Sequence, residues 1–144
     1  MTLICSNACK ALSGSITVPG DKSISHRALM IGTLAVGETV IEGLLEGEDV
    51  MATLQAMRQL GAEIVKGEDP KDQLCHIHGR GIGGLVEPDN ILDLGNSGTA
   101  ARLITGLISS HDITATIVGD ASLNSRPMKR VLEHLKKIGA QFFT

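Results

Sequence analysis

The chain has 144 residues, of which 42% are apolar, and a formal net charge of −3. This length suits one ordinary domain or part of a larger one, with enough apolar residues to bury a core. The acidic balance and an aromatic content of only two Phe residues argue against a nucleic-acid partner. No stretch approaches the roughly 18 apolar residues of a membrane span, so we expect a cytoplasmic protein with no membrane partner.

The cysteines favour reduced thiols. Cys5, Cys9 and Cys75 are odd in number and have no paired spacing. A metal site completed by His76 and His78 is disfavoured, because no Cys-x-x-Cys or His-x-x-x-His pair anchors it. We therefore expect neither a metal nor another cofactor.

Residues 1–20 form a leading segment in which "GSITVPG" is predicted as a separate strand. The turn "GDKS" then leads into a predicted helix over 24–36, and the β-branched segment 39–44 follows as a strand. A second helix is expected after Asp49, a good N-cap, and before Gly61, a typical C-terminal stop. "AEIVK" and "QLCHIHG" then form a predicted hairpin, which ends a first unit at residue 79.

Residues 91–144 repeat this series after a Gly-rich linker, residues 80–90. The segments "ATLQAMRQLGAEI" and "RVLEHLKKIGAQF" superimpose in sequence. A helix is predicted over 98–110, a strand over 113–118, a second helix with Pro127 in its first turn, and a final strand "AQFFT". The sequence therefore predicts an α/β fold of two β-α-β-α-β-β units, the second truncated.

Candidate binding residues lie at the starts of three predicted helices. They are Lys22, Ser23 and Arg27; Asn96, Ser97, Gly98, Thr99 and Arg102; and Arg126. Free N–H groups and the helix dipole favour an anion at such places, and a guanidinium suits phosphate or carboxylate. At each place alone, ordinary capping residues and a solvated arginine are a sufficient explanation. Their repetition favours one pocket for a small molecule that carries phosphate and carboxylate groups.

His26 is a weaker candidate for an acid or a base. A histidine in the first turn of a helix is more often a cap or a surface residue, and we expect this role for His26.

Three segments carry a resemblance to a known family: "PGDKSISHRALMIGTLA", "LDLGNSGTAARL" and "GDASLNSRPMKRVLEHLKKIGA". Together they resemble the 5-enolpyruvylshikimate-3-phosphate (EPSP) synthase family, in the bacterial branch called class II, over residues 13–141. The resemblance implies part of the inside-out α/β barrel domain of enolpyruvyl transferases, with helix N-termini facing a cleft between two domains. It implies transfer of enolpyruvyl from phosphoenolpyruvate to the 5-hydroxyl of shikimate 3-phosphate, a step of aromatic amino acid biosynthesis.

The motif match also implies which residues bind each ligand. Shikimate 3-phosphate would be bound by Lys22, Ser23 and Arg27. Phosphoenolpyruvate and the inhibitor glyphosate would be bound by Lys22, Asn96, Gly98 and Arg126, with Thr99, Arg102 and Leu103 supporting the pocket. Ser97 and Leu103 depart from the Ala and Pro that are frequent at these positions in the family, which leaves glyphosate sensitivity open.

Family members are much longer than this chain, and their acid–base groups lie in the part that it lacks. We therefore expect an N-terminal fragment without the C-terminal domain and without catalytic residues of its own. Such a fragment would bind substrate or inhibitor and would need a complementary C-terminal fragment for activity. Two alternatives remain: a UDP-N-acetylglucosamine enolpyruvyl transferase, which "KSISHR" disfavours because that branch carries Lys-Asn there, and an anion-binding module without catalysis.

Overall fold

The computed structural model of the chain describes residues 4–67 and 74–143. Helices and strands alternate along most of this length, which confirms the predicted α/β class. In chain order the elements are α1 (Lys22–Leu34), β1 (Val36–Glu42), α2 (Glu48–Gln59), β2 (Glu63–Lys66), β3 (Leu74–Arg80), β4 (Leu92–Asp93), α3 (Gly98–Ile108), β5 (Ile117–Val118), α4 (Ala121–Asn124) and α5 (Lys129–Lys136).

The strands of the first half form an antiparallel sheet in the order β1-β3-β2. The pairing of Ile64 with Ile77 confirms the hairpin predicted from "AEIVK" and "QLCHIHG", although residues 68–72 of its turn lie outside the described residues. Along β3, Cys75 and Ile77 are buried while His78 is exposed. This alternation directs one face of the sheet toward the helices.

The core lies between that face and the helices, since α1 contacts α2, α3 and β3. One set of apolar side chains on α1 and α2 buries almost completely, whereas Ile24 and Ile31 of α1 stay exposed. Each buried side chain contributes about 1.5–3 kcal/mol to the stability of the fold. The fully buried large apolar residues of this part are Leu29, Val50, Leu54, Met57, Leu60 and Ile77. Gly61 and Gly139 both adopt a φ of +101°, which confirms the two predicted helix stops.

Two predicted helix starts are corrected. Gly47 is the N-cap of α2, and Asp49 lies inside the first turn, where its side chain turns toward α1. Met128 is the N-cap of α5, so Pro127 lies between the short helix α4 and α5 and not in a first helical turn.

The second half is less regular than predicted. The strand expected over 113–118 is reduced to β5, because only β4, two residues long, pairs with it in parallel. The strand "GSITVPG" of the leading segment and the strand "AQFFT" are not observed: residues 4–20 and 140–143 form no helix or strand. None of the described strands lies beside these segments, and a lone strand leaves its backbone groups unpaired.

The division of the chain into a leading segment, two units and a linker stays a prediction. Within residues 4–67 and 74–143, no helix is long and apolar enough to cross a membrane.

Candidate functional site

The first candidate region is the start of α1, which the local sequence fixes firmly. Asp21 is the N-cap, and its Oδ1 accepts a hydrogen bond of 2.8 Å from the Ile24 N–H. The buried Ser25 hydroxyl donates to the Asp21 carbonyl and accepts from the Leu45 N–H at 3.1 Å. These bonds attach the helix start to the loop between β1 and α2. They therefore fix the backbone that carries the side chains of the first turn.

Lys22, Ser23 and Arg27 lie together on the exposed side of this turn, as the sequence predicts. Arg27 folds back along the helix, and its Nη1 donates to the Ser23 carbonyl at 3.0 Å. Lys22 forms a close ion pair with Asp49 of α2. The cluster therefore has two cations at a helix N-terminus, one of them already paired with a carboxylate.

His26 lies beneath the cluster, and the expectation of a surface or capping residue is wrong. Its side chain has no solvent exposure, because this face of α1 packs on α2. Nδ1 lies 2.7 Å from the Thr53 hydroxyl, and Nε2 lies 3.8 Å from Asp49 Oδ2. Burial lowers the pKa of His26; the Asp49 carboxylate opposes this effect, and the charges of Lys22 and Arg27 add to it.

Asp49 is held as a carboxylate. Burial alone would raise the pKa of its side chain, but the hydrogen bond and charge of Lys22, with His26 and the Val50 N–H, outweigh that effect. The pKa of Asp49 therefore lies below its ordinary value. A negative charge in the first turn of α2 is also favourable to the helix dipole.

The second candidate region is the start of α3. Ser97 is its buried N-cap, and the hydroxyl accepts from the Ala100 N–H at 3.2 Å. Asn96 just before it is exposed, Gly98 is buried as the first helical residue, and Thr99 is half-buried. Polar side chains thus surround the N-terminus of α3, and its first helical residue, Gly98, has no side chain.

Two arginines lie over Gly98. Arg102 Nη1 donates to the Gly98 carbonyl at 2.9 Å, and Nη2 donates to the Pro127 carbonyl at 3.1 Å. Arg126 Nη2 donates to the Ser122 hydroxyl at 3.2 Å. A Cβ atom placed on Gly98 would lie 2.7 Å from Arg102 Nη1 and 2.8 Å from Arg126 Nη1. Both guanidinium groups therefore occupy the space that a side chain would fill.

Neither arginine has a carboxylate partner within residues 4–67 and 74–143. Their partners are carbonyl and hydroxyl oxygens, which leave both positive charges uncompensated. Together with the N-terminus of α3, they favour an anion with two or more acceptor oxygens.

The structure separates some of the predicted residues. Leu103 is half-buried against the core, and within the described residues no hydrogen bond or ion pair joins the α1 cluster to the two arginines. A surface cavity of about 440 Å³ lies between α2 and β4, but its lining includes Glu48 and Asp93 and none of the predicted binding residues. The candidate site is therefore the pair of helix starts and not this cavity.

The partners of His26 do not follow from the spacing of residues along the chain. Thr53 and Asp49 are distant from His26 in the chain and meet it only when α1 packs on α2. One signal was present: Thr53 interrupts the apolar stripe of α2 beside Val50 and Leu54. A polar residue at such a position indicates a buried polar partner.

Comparisons with known proteins agree on one family. A family model described as EPSP synthase (3-phosphoshikimate 1-carboxyvinyltransferase) matches residues 6–143. A curated relative from Parvibaculum lavamentivorans, named 3-phosphoshikimate 1-carboxyvinyltransferase, is 64% identical over 132 residues, which cover 92% of this chain and 29% of the relative. A relative of the same name from Zymomonas mobilis is 60% identical over 91% of this chain and 28% of its own length.

Among solved structures, an EPSP synthase from Acinetobacter baumannii matches with a TM-score of 0.83 and 49% identity. The match covers 91% of this chain and 29% of that structure. The chain thus spans less than a third of the length of the relatives that it matches.

Proposed function

The chain belongs to the EPSP synthase family, and on that premise we propose that it supplies the N-terminal substrate-binding part of a 3-phosphoshikimate 1-carboxyvinyltransferase. The reaction would move the enolpyruvyl group of phosphoenolpyruvate to the 5-hydroxyl of shikimate 3-phosphate and release phosphate. The curated relatives named above carry this activity in their names, which disfavours the UDP-N-acetylglucosamine enzyme.

The observation that carries the proposal is the arginine pair over Gly98. Arg102 and Arg126 present uncompensated positive charge at the N-terminus of α3. Phosphoenolpyruvate, or glyphosate in its place, has phosphate or phosphonate and carboxylate groups that such a pair binds through charge-assisted hydrogen bonds. Asn96 and Lys22 would complete this pocket, with Thr99 and Leu103 supporting it.

Shikimate 3-phosphate would bind at the start of α1. Its phosphate suits the helix dipole, the Ser23 hydroxyl and the guanidinium of Arg27. Among the described residues that guanidinium bonds only the Ser23 carbonyl, an interaction within one exposed turn that a phosphate can replace. Charge-assisted bonds to the phosphate would be stronger than the bond that is given up.

Catalysis by residues 1–144 alone is not part of the proposal. His26, the one histidine beside the cluster, has no solvent exposure, and Asp49 is paired with Lys22. Proton transfer requires acid–base groups within hydrogen-bond reach of the substrate, and a complementary C-terminal fragment would supply them. The cytoplasm is the proposed location.

Phosphate release from phosphoenolpyruvate and shikimate 3-phosphate tests the activity. We expect no turnover by residues 1–144, none by a fragment that begins at residue 145 of a natural longer form, and turnover by their mixture. Appreciable turnover by residues 1–144 alone would contradict the proposal. A mixture that binds both substrates without turnover would favour the anion-binding module.

Calorimetric titration with shikimate 3-phosphate tests the site. Arg27→Ala should weaken binding by about 10- to 150-fold, the equivalent of about 1.5–3 kcal/mol for a charge-assisted hydrogen bond. Lys136→Ala, on the exposed C-terminal turn of α5, is the matched control and should leave the dissociation constant unchanged. Equal effects of the two substitutions would contradict the assignment.

A further inference from the structure

We propose that His26 is a positioning residue, which fixes Lys22 for substrate binding by holding the carboxylate of Asp49 from below. This inference deepens the proposed function and rests on it. It assigns a role to a fully buried polar side chain that touches no predicted ligand. The two ring nitrogens of His26 have unequal surroundings.

One nitrogen of His26 is anchored. Nδ1 lies 2.7 Å from the Thr53 hydroxyl, across the α1–α2 interface. The same hydroxyl lies 3.2 Å from the Asp49 carbonyl, one turn earlier in α2. Because α1 supplies the histidine and α2 supplies both Thr53 and Asp49, this contact fixes the ring relative to the Asp49 backbone.

The other nitrogen has no hydrogen-bond partner in the described part of the chain, although it is completely buried. Nε2 points toward Asp49 Oδ2 across 3.8 Å, and this oxygen is the one that pairs with Lys22. A buried polar atom without a partner costs about 1–3 kcal/mol. We therefore infer that the placement of Nε2 beside the Asp49 carboxylate has a function that offsets this cost.

The carboxylate decides the tautomer of the ring. A bare Nε2 lone pair that faced Asp49 Oδ2 would be repelled, whereas an Nε2–H is attracted to it. Nδ1 is then the acceptor and takes the single proton of the Thr53 hydroxyl at 2.7 Å. The Asp49 carbonyl, 3.2 Å from the same hydroxyl, receives no hydrogen bond from it in this arrangement. The chain of contacts runs from Thr53 to His26, from His26 to Asp49, and from Asp49 to Lys22.

This chain of contacts has a consequence for Lys22. Its side chain is about half-exposed and has many rotamers, so binding an anion would require ordering it. The ion pair with Asp49 orders it beforehand. When an anion engages the ammonium group, the Nε2–H of His26 still faces Asp49 Oδ2 across 3.8 Å, so the nearly buried carboxylate keeps a favourable electrostatic neighbour.

Two substitutions distinguish the roles of the two ring nitrogens of His26. The amide of Gln places an N–H near the position of Nε2 and loses the contact with Thr53, so H26Q keeps the group that faces Asp49. The shorter Asn places an acceptor near the position of Nδ1, so H26N keeps the Thr53 contact and loses the group that faces Asp49. T33V is the structural control, because Thr33 is equally buried on α1 and its hydroxyl, as far as the described residues go, bonds only the Leu29 carbonyl of the same helix.

The experiment measures kcat and KM for both substrates in a full-length enzyme whose N-terminal part has this sequence. We expect H26N to lower kcat/KM about tenfold or more, H26Q to lower it about threefold or less, and T33V to leave it unchanged. In a Lys22→Ala background, H26N and H26Q should have equal kcat/KM. Equal effects of H26N and H26Q with Lys22 present, or a difference that persists without Lys22, would overturn the proposal.

A second measurement does not depend on activity. Nitrogen-15 NMR of the same polypeptide should show His26 as the Nε2–H tautomer at pH 7, with its Nε2 resonance displaced in Asp49→Asn. An Nδ1–H tautomer, or an Nε2 resonance that Asp49→Asn leaves in place, would overturn the positioning role. A wild-type protein with this tautomer but no turnover would instead refute the proposed function while supporting the contact between His26 and Asp49.

Discussion

The cations at the starts of α1 and α3 have different partners. Both are capped helix N-termini with two nearby cations. At α1, Lys22 is paired with a nearly buried carboxylate that lies against a buried histidine. At α3, the partners of Arg102 and Arg126 within residues 4–67 and 74–143 are only carbonyl and hydroxyl oxygens, and the space that the two arginines occupy exists because residue 98 is glycine. The start of α1 has a cation compensated by a carboxylate, whereas the start of α3 has two cations without a carboxylate partner among the described residues.

Arg126→Ala is expected to have the largest effect, because it removes one of the uncompensated charges. The dissociation constant of phosphoenolpyruvate should rise about 10- to 150-fold for each charge-assisted hydrogen bond that is lost. Arg130→Ala, an exposed arginine on α5, is the matched control. If calorimetry gives the same constant for both variants, the uncompensated charge at α3 has no role in binding.

Gly20→Ala tests how tightly the residues just before α1 pack against the segment that follows β1. A Cβ atom at Gly20 would overlap the backbone carbonyl of Gly43, which only a separation of the two segments can relieve. Overpacking of this kind should lower the free energy of unfolding by about 2–3 kcal/mol. Urea unfolding compares the free energies of unfolding of Gly20→Ala and Gly98→Ala. Equal values for the two variants would contradict the expected loss of stability in Gly20→Ala.

Gly98→Ala should have little effect on stability and a larger one on binding. Its added methyl group meets side-chain atoms of Arg102 and Arg126 and no backbone atom, and long side chains can shift, so we expect a stability change within about 0.5 kcal/mol. Both guanidinium groups must move to make room. The inhibition constant of glyphosate should rise more than the KM for phosphoenolpyruvate, and steady-state kinetics in which both parameters stay unchanged would refute this.

The smallest expected effect is a pH dependence that comes from the α1 region. The pKa of His26 in the folded chain lies below the 6.5 of an unfolded histidine. As the pH falls through 6.5, the unfolded chain therefore takes up the proton first, and stability present above that pH is lost toward the lower folded pKa. The slope cannot exceed about 1.4 kcal/mol for each pH unit.

His26→Gln removes this titration. Between pH 7 and pH 5 its free energy of unfolding should fall less than that of the wild-type chain, while the control Thr33→Val should follow the wild type. Parallel pH profiles of urea unfolding for His26→Gln and the wild type would show that the burial of His26 has no energetic effect.

The sequence by itself determined the parts of the molecule that depend on neighbours in the chain. The helices α1, α2 and α3, the hairpin of β2 and β3 and the stops at Gly61 and Gly139 follow from apolar spacing and turn residues. The cations at the helix starts follow in the same way, because a helix N-terminus is a local property. The family motifs in these segments indicated the family that the comparisons then showed.

Tertiary structure decided what depends on distant partners. The segment "GSITVPG" has the residues of a strand but no strand beside it among those described, and hydrogen bonding between strands cannot be read from one strand. Asp49 pairs with Lys22 and does not cap α2, and His26 is buried against Thr53, because two helices pack face to face. Arg102 reaches the Pro127 carbonyl in the same way. These contacts join residues that are 25 or more positions apart, and a spacing rule that follows one helix turn cannot specify them.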